Sequence, residues 1–331
     1  MNVLVIGGNR FVGILAGWRL LAAGHRVTLL NRGRLPDPFG DRVERLRGDR
    51  STDLERLAGS RRFDAVIDLA AYTGAHGRRA AEVLRGRVGH YLMVSTGQVY
   101  LVRRDAPRPS REVDYDGPLV PRPPPPDLAD WEYGMGKREA EDALAEAARA
   151  GFPATRVRIP MVNGELDYLR RMEAYLWRLL DGGPVLVPDG GTHPVRHVYG
   201  GEVARFLVEA LGRSETFGEA YNLAQEETPS LRDLLDRLRR LLGSRAALVD
   251  VPASTLAAGG ADLLSVSPFS GRWMSFLDPA RARDELGFRH EPLDAYLGKI
   301  VASFLAHAPS TPPEGYRFRD IERRVATRPT A

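Results

Sequence analysis

The chain has 331 residues with a formal net charge of +4, a pI of about 9.5 and no cysteine. The length allows a large buried core, the missing cysteines exclude disulfides and thiol chemistry, and arginines spread along the whole chain favour a solvated surface over a nucleic-acid site. No apolar run is long enough to span a bilayer and no secretion signal leads the chain, so we expect a cytoplasmic protein without a membrane partner.

The first half of the sequence alternates short apolar runs with amphipathic stretches. Strands are predicted at 3–6, 27–30, 65–70, 91–95 and 154–159, and helices at 11–24, 51–59, 77–86 and 137–151. This alternation is typical of βαβ units and predicts an α/β fold of the Rossmann kind, with a doubly wound parallel sheet. Ligands of such a sheet bind at the carboxyl ends of its strands.

After about residue 160 the pattern becomes looser. Helices are predicted at 166–180, 202–212, 230–242 and 279–286, and short strands at 195–199 and 220–224. We therefore predict a Rossmann domain over 1–160 and a smaller α+β lobe over 161–331, interleaved with the last strands of the sheet. The segment PRPPPPD, residues 121–127, is expected to be extended, since prolines fit neither a helix interior nor a central strand.

A glycine-rich turn follows the first predicted strand. The stretch GGNRFVG begins at residue 7 and leads into the first predicted helix. Glycines there permit a tight turn and let the backbone approach a pyrophosphate held at the helix N-terminus. The residues expected to contact a dinucleotide are Gly7, Gly8, Asn9, Arg10, Phe11, Val12 and Gly13.

The end of the second predicted strand bears on which dinucleotide binds. An acidic residue at that point suits the ribose 2'-hydroxyl of NAD, but here the strand ends in Asn31 and Arg32. An arginine fork suits a 2'-phosphate, so the sequence favours NADP and leaves NAD open. Arg10 is placed to reach the same phosphate, and Asp49, in the stretch RGDR, is expected to contact the adenine.

Lysine is rare in this chain. Of the 47 Lys and Arg residues only Lys137 and Lys299 are lysines. Tyr133 precedes Lys137 by four residues, so both side chains lie on one face of a helix, which we expect near the start of that helix. A neighbouring ammonium stabilises a phenolate and lowers the pKa of a phenol, so the pair is typical of a proton-exchanging tyrosine. A compact ammonium also fits against ribose hydroxyls, where a planar guanidinium does not.

Three motifs in chain order carry a family resemblance. GGNRFVG, LMVSTGQVY (92–100) and YGMGK (133–137) together resemble the extended or atypical short-chain dehydrogenase/reductases, and more narrowly the NAD-dependent epimerase/dehydratase family. The likeness continues through RIPMVNG (158–164), HPVRHVYGGEVARFL (193–207) and YNLAQEETPSLRDLL (221–235). It implies an NAD(P)-binding first domain, a substrate-binding lobe, and an oxidoreductase or epimerase acting on a hydroxyl or keto carbon of a sugar, nucleotide sugar or other small metabolite.

The resemblance also implies roles for single residues. Thr96 would orient the substrate oxygen while Tyr133 exchanges a proton and Lys137 supports it, with Ser95 as an alternative to Thr96. The cofactor would contact Tyr133, Lys137, Ala70 and Ala71. Substrate contacts are expected from Tyr72, Gln98, Tyr100, Met161, Asn163 and Arg196, with His193 and His197 as further candidates. The two histidines lack a third ligand at metal spacing, so no metal site is predicted.

The sequence departs from the pattern of the family at four places. Gly97 and Gln98 replace an acidic pair, Met161 replaces an asparagine, Val195 and Arg196 replace an Arg-Asp motif, and Arg10 replaces the middle glycine of the turn. Without the acidic pair, dehydration by the usual route is not expected.

Two other classes of function stay open. Chloroplast stem-loop RNA-binding proteins resemble this branch, so an RNA-binding protein on an atypical short-chain dehydrogenase fold is one alternative, and a nucleotide-sensing protein is the other. The expected partners are a small-molecule substrate and a second copy of the chain, which would dimerise through the alanine-rich helix after YGMGK; nucleic acid is not the expected partner.

Overall fold

The computed structural model describes residues 1–307 and 309–327. The chain forms two compact units, each assembled from separate stretches of sequence. The first unit comprises Met1–Val162, Val198–Ala224 and Ser275–His290, and the second comprises Asn163–His197, Gln225–Met274 and Glu291–Ala331.

The strands are numbered in chain order. They are β1 (Asn2–Ile6), β2 (Arg26–Asn31), β3 (Glu44–Arg47), β4 (Ala65–Asp68), β5 (Tyr91–Thr96), β6 (Ala154–Ile159), β7 (Val162–Asn163), β8 (Val185–Pro188), β9 (Val198–Tyr199), β10 (Ala220–Asn222) and β11 (Leu248–Val251). All five strands predicted in the first half of the chain are therefore present.

The helices are numbered in the same way. They are α1 (Phe11–Ala22), α2 (Leu54–Ala58), α3 (Gly74–Leu84), α4 (Gln98–Leu101), α5 (Leu128–Arg149), α6 (Arg171–Leu180), α7 (Gly200–Glu209), α8 (Leu231–Leu241), α9 (Ala253–Ala258), α10 (Leu263–Val266), α11 (Ala280–Leu286), α12 (Leu293–Ala306) and α13 (Arg319–Ala326). No helix of the described residues is long and apolar enough to cross a membrane.

The first unit is built on one seven-stranded sheet. Its strand order is β10-β6-β5-β4-β1-β2-β3, and every neighbouring pair is parallel. The predicted fold class, a doubly wound parallel α/β sheet, is confirmed. The chain runs outward from β1 to β3 and then crosses back to β4 on the other side of β1, so the order reverses between β1 and β4. A reversal of this kind opens a crevice at the carboxyl ends of the strands, where ligands of such sheets bind.

Both faces of this sheet are covered by helices. Alternate residues of β1 point to opposite faces, so Val3 and Val5 join one apolar cluster with residues of α1 and α7, while Leu4 and Ile6 join another with residues of α3 and α5. Burial on both sides explains why the strands read as continuous apolar runs.

The second unit, taken by itself, has a short parallel pair, β8 and β11. Its apolar cluster includes Leu186, Leu256 and Val325. Arg178 and Glu322 are fully buried beside it, with Nη2 and Oε1 2.6 Å apart.

The helix that carries YGMGK begins earlier than predicted. The sequence places its start near residue 137, but α5 begins at Leu128, directly after the proline-rich segment. Gly134 and Gly136 lower the helix propensity of this stretch, which is why the sequence pattern did not predict the first two turns of α5. Tyr133 and Lys137 therefore lie inside an established helix and not at its end.

Candidate active site

The turn between β1 and α1 depends on its glycines. Gly7 and Gly8 adopt φ angles of 99° and 76°, a region that side chains with a Cβ rarely enter. A Cβ added to Gly13 would lie 2.4 Å from the Cα of Gly8, so the first turn of α1 packs directly on the glycine loop. At these glycine positions the backbone is not covered by a Cβ, so it can approach a bound pyrophosphate closely.

The other residues of the motif have different surroundings. Phe11 and Val12 are buried in the apolar cluster beside α1. Asn9 donates from Nδ2 to the carbonyl of Leu35 at 3.1 Å, and Arg10 precedes α1 in an extended conformation. Asn9 and Arg10 are the members of the motif whose side chains lie in the loop, while Phe11 and Val12 anchor it.

The carboxyl ends of β2 and β3 present a polar group without a partner. Oδ1 of Asn31 accepts hydrogen bonds from the backbone N–H of Gly33 and from Arg47, but its Nδ2 is buried with no partner among the described residues. Oδ1 of Asp49 accepts from the backbone N–H of Ser51, and this bond, together with the nearby charge of Arg32, keeps the pKa of Asp49 below its usual value. A buried donor without an acceptor and the glycine loop fit an adenine dinucleotide.

Tyr133 and Lys137 are joined on α5 by a second tyrosine. The ammonium of Lys137 lies 4.7 Å from the ring centre of Tyr72 and 6.0 Å from that of Tyr133. The two rings are 6.3 Å apart, and both side chains are exposed, Tyr72 by 48% and Tyr133 by 38%. The structure therefore brings together one predicted substrate contact and two predicted catalytic residues.

The lysine itself is buried. Its Nζ donates to the carbonyl of Val94, in β5, at 2.9 Å. Burial lowers the pKa of Lys137 to about 8, against the opposing effect of the Asp68 and Glu141 carboxylates. Because this value is above 7, the ammonium is still the dominant form at neutral pH, and it can stabilise a phenolate.

The two glycines of YGMGK allow α5 to approach the sheet. A Cβ on Gly136 would lie 2.4 Å from the carbonyl oxygen of Tyr72, and one on Gly134 would lie 3.0 Å from that of Gln98. These glycines set the position of the helix, a role that the sequence analysis did not assign. Two glycines within an otherwise strong helix-forming stretch were the signal for it.

Thr96 is the last residue of β5, and α5 holds the chain on either side of it. Lys137 binds the carbonyl of Val94, two residues earlier, and Gly134 packs on that of Gln98, two residues later. Oγ1 of Thr96 accepts from the backbone N–H of Gln98 at 3.3 Å. The alternative hydroxyl, Ser95, is buried and donates to Glu141, which favours Thr96 for the substrate oxygen.

Gln98, Met161 and the alanines after β4 lie in the same unit. Nε2 of Gln98 donates to Asp130 at 3.0 Å, while its Oε1 is buried without a partner among the described residues. Ala71 belongs to the core, the N–H of Ala70 donates to Asp68, and the carbonyl of Met161 accepts from the N–H of Val198. Of these residues, Gln98 has a side-chain group left for a ligand.

Tyr100 does not join this group. It is 1% exposed, and its hydroxyl accepts from Arg158 at 2.6 Å and donates to Asn222 at 3.0 Å. Burial raises the pKa of Tyr100 to about 12. The hydroxyl predicted to meet the substrate is committed to the core, because Arg158 on the neighbouring strand, β6, needs a buried acceptor.

A buried ion pair lies one helical turn beyond Lys137. Arg158 grips Glu141 with Nε and Nη2, the shortest bond being 2.6 Å, and both side chains are at most 2% exposed. Burial raises the pKa of Glu141, but the charge and hydrogen bonds of Arg158 lower it more, so this pKa lies below its usual value. The pair fixes α5 to β6 behind the candidate site.

Replacing Glu141 with glutamine is expected to lower the free energy of unfolding by ~3–5 kcal/mol, because Arg158 then keeps a buried charge without its counter-ion. Urea unfolding measures this difference. The matched control is Glu132→Gln on the same helix, whose pair with Arg122 is more than half exposed on both sides and is worth ~0–1 kcal/mol. Equal losses in the two variants would contradict a structural role for the buried pair.

The remaining predicted contacts belong to the second unit. Nδ2 of Asn163 lies 2.7 Å from Nδ1 of His197, and burial lowers the pKa of His197 to about 3, so the ring is neutral. Nε2 of His193 lies 2.9 Å from the carbonyl of Phe269, and Arg196 donates to Thr228 and Glu226. Within the described part of the chain no three acidic or histidine side chains are grouped to hold a metal ion.

The parallel seven-stranded sheet, the glycine loop and the Tyr-Lys helix define the class, a dinucleotide-binding protein of the extended short-chain dehydrogenase type. The sequence profile of the NAD dependent epimerase/dehydratase family matches residues 3–85 and 75–224, so the chain belongs to that family. The family resemblance predicted from the motifs is thereby confirmed, and the description of the family names NAD as its cofactor.

Solved structures share the fold at low sequence identity. UDP-glucose 4-epimerase from Thermotoga maritima is 20% identical with a TM-score of 0.72, over 93% of this chain and 100% of that one. dTDP-glucose 4,6-dehydratase from Bacillus anthracis, solved with NAD, is 15% identical with a TM-score of 0.72, over 92% and 97%.

A curated relative is similar in sequence. The chloroplast stem-loop binding protein of 41 kDa b from Arabidopsis thaliana is 26% identical over 247 residues, which is 68% of this chain. The chain spans 59% of the length of that relative.

Proposed function

We propose that the protein is an NAD(P)-dependent epimerase or oxidoreductase that acts on a hydroxyl or keto carbon of a sugar-like metabolite. One observation carries the proposal: Lys137, buried and bonded to the carbonyl of Val94, places an ammonium beside the exposed rings of Tyr72 and Tyr133. A desolvated ammonium beside a phenol supplies what proton exchange at neutral pH needs.

The proposed mechanism assigns one task to each side chain. A bound nicotinamide supplies the acceptor and donor for the hydride. Tyr133 takes the hydroxyl proton of the substrate while the hydride leaves the carbinol carbon, and returns it in the reverse step. Lys137 stabilises the phenolate, and Thr96 donates a hydrogen bond to the substrate oxygen. Tyr72 and Gln98 are proposed to contact the substrate, and Asn163 and Arg196 stay predicted contacts of a substrate-binding second unit.

Nucleotide sugars are the first substrates to test, because UDP-glucose, UDP-glucuronic acid and dTDP-glucose are named for structural relatives of this chain. The purified protein is denatured and its released ligand identified by mass, and the native protein is incubated with the sugars and with simple alcohols and ketones. A retained nicotinamide dinucleotide with turnover supports epimerisation. Cofactor binding without turnover of any compound would instead indicate the nucleotide-sensing alternative.

NADP is the proposed cofactor, because Arg32 directly follows β2 and a guanidinium suits a 2'-phosphate better than the hydroxyl of NAD. Replacing Arg32 with alanine is expected to weaken NADPH binding by roughly 10- to 100-fold and NADH binding far less, since a charge-assisted bond is lost only to the phosphate. Titration of both dinucleotides measures this. Arg26→Ala, at the exposed amino end of the same strand, is the control and should change neither. Equal weakening for both dinucleotides by Arg32→Ala would contradict NADP selection.

RNA binding is the alternative function, and it is proposed on the similarity to a stem-loop binding protein alone. It predicts RNA retained at low salt and released at moderate salt, since phosphate contacts are screened. A Tyr133→Phe variant should retain RNA equally, which separates this function from the enzymatic one. Dimerisation through α5 likewise stays a prediction, to be checked by the solution mass.

A further inference from the structure

Lys137 is surrounded by charged and titratable groups from several elements. The groups whose charges or rings act on it are Asp68 at the end of β4, Arg50 after β3, His76 in α3, Glu141 and Tyr133 in α5, and Tyr72 after β4. Both carboxylates are paired with an arginine, but Asp68 acts on Lys137 more strongly than Glu141 does. Asp68 is therefore the carboxylate of interest.

Asp68 is completely buried and its contacts are fixed. Its Oδ1 accepts from the N–H of Ala70 at 2.8 Å, and its Oδ2 accepts from Arg50 at 2.9 Å and from the hydroxyl of Tyr91. Arg50, 7% exposed, also donates to the carbonyls of Ala70 and His76 at 3.3 and 3.2 Å. The pair thus holds the loop that leads to Tyr72.

The register of the sheet brings this pair to the lysine. Asp68 is paired with Met93 of β5, and the next residue, Val94, offers the carbonyl that binds Nζ of Lys137. Because the side chain of Lys137 is 2% exposed, solvent screens the charge of a nearby carboxylate only weakly.

We propose that Asp68 and Arg50 form a positioning pair for Lys137, in which the carboxylate keeps the ammonium charged and the guanidinium holds the carboxylate in place. The proposal rests on the proposed function only for its catalytic consequence. Neither residue touches the reacting atoms, so both act through the lysine.

The electrostatic signs make the proposal testable. Burial lowers the pKa of Lys137 to about 8, while the charge of Asp68 raises it and the smaller effect of Arg50 lowers it. Asp68→Asn removes the attraction and leaves the repulsion, so the pKa of Lys137 should fall further. Asp68→Asn combined with Arg50→Met removes both the attraction and the repulsion, so the pKa of Lys137 should fall less than in the single variant. Damage to packing would give the opposite order, because the double variant changes two buried side chains.

The rarity of lysine permits a direct measurement. Protein labelled with 13C at lysine Cε gives two lysine signals, from Lys137 and Lys299, and their shifts against pH report each protonation. Lys299 is 54% exposed along its side chain and paired with Glu291 at 2.6 Å, so it serves as an internal reference. The titration is done on the whole chain without cofactor, so it does not require turnover.

We expect the midpoint for Lys137 to fall by about one to three pH units in Asp68→Asn and by less in the double variant, with Lys299 unmoved. Asp37→Asn, which removes a carboxylate buried against Arg45 at 2.6 Å, is the matched control and should leave Lys137 unchanged. The double variant also tests the proposal if Asp68→Asn alone fails to fold.

An unchanged midpoint in both variants would overturn the proposal, and so would a larger fall in the double variant, which would indicate damaged packing. If the proposed function holds, the pH profile of turnover moves with the midpoint of Asp68→Asn. If the midpoint of Lys137 falls in Asp68→Asn but the unsubstituted protein turns over none of the compounds tested, the proposed function is refuted and the positioning pair is still supported.

Discussion

Replacing Tyr133 with phenylalanine is expected to lower turnover by ~10²- to 10⁴-fold while cofactor affinity is almost unchanged. The ring stays in place beside Lys137, 6.0 Å from its ammonium, and only the group that exchanges the proton is lost. Steady-state kinetics with the substrate found in the screen, together with a cofactor titration, measures the two effects separately. A fall in turnover without a change in cofactor affinity locates the defect in the chemical step.

The neighbouring tyrosine provides the control. The ring centre of Tyr72 lies 4.7 Å from the ammonium of Lys137, closer than that of Tyr133, and Tyr72 is also exposed. Tyr72→Phe keeps the ring over the lysine and should lower turnover far less than Tyr133→Phe does, because the proposed role of Tyr72 is substrate contact and not proton exchange. If instead Tyr72→Phe abolished turnover and Tyr133→Phe did not, the proton-exchanging phenol would be the wrong one.

Most strands of the first unit could be predicted because the pattern that marks each strand lies within a few neighbouring residues. Strands buried on both faces read as continuous apolar runs, so β1, β2, β4, β5 and β6 are visible one at a time. The edge strand β3, with the sequence ERLR, has no such run and was not among the predicted strands. The second unit is different. β8 pairs with β11, more than fifty residues later, and neither strand is longer than four residues. Such pairing depends on contacts far apart in sequence, which a local pattern does not carry.

The candidate site divides in the same way. Tyr133 and Lys137 were predicted from their spacing, because residues four apart lie on the same face of a helix. The sequence did not predict the roles of Asp68, Arg50 and Glu141, since a sequence alone does not distinguish a buried charged residue from an exposed one. In a chain with 47 Lys and Arg residues, an arginine in RGDR is read as a turn residue. Only the register of β4 and β5 shows that Asp68 lies beside the carbonyl that binds Lys137.

The change from Lys137 to arginine keeps the positive charge but is expected to lower turnover by ~10²-fold or more while the fold is retained. Nζ is held at 2.9 Å from the carbonyl of Val94 in a side chain that is 2% exposed, so the larger planar guanidinium cannot take the same place. A guanidinium displaced from this place would hold its charge at a different distance from the phenol and would stabilise the phenolate less.

Two further measurements separate shape from charge. Lys299→Arg, the same substitution at the other lysine, lies at an exposed ion pair and should leave turnover and stability as they were. The lysine, with a pKa of about 8, loses its proton in mildly alkaline solution, whereas an arginine does not, so any residual activity of Lys137→Arg should lose the alkaline limb of its pH profile. Normal turnover in the arginine variant would mean that position 137 needs a charge and no particular shape, and the scarcity of lysine in this chain would then have no bearing on catalysis.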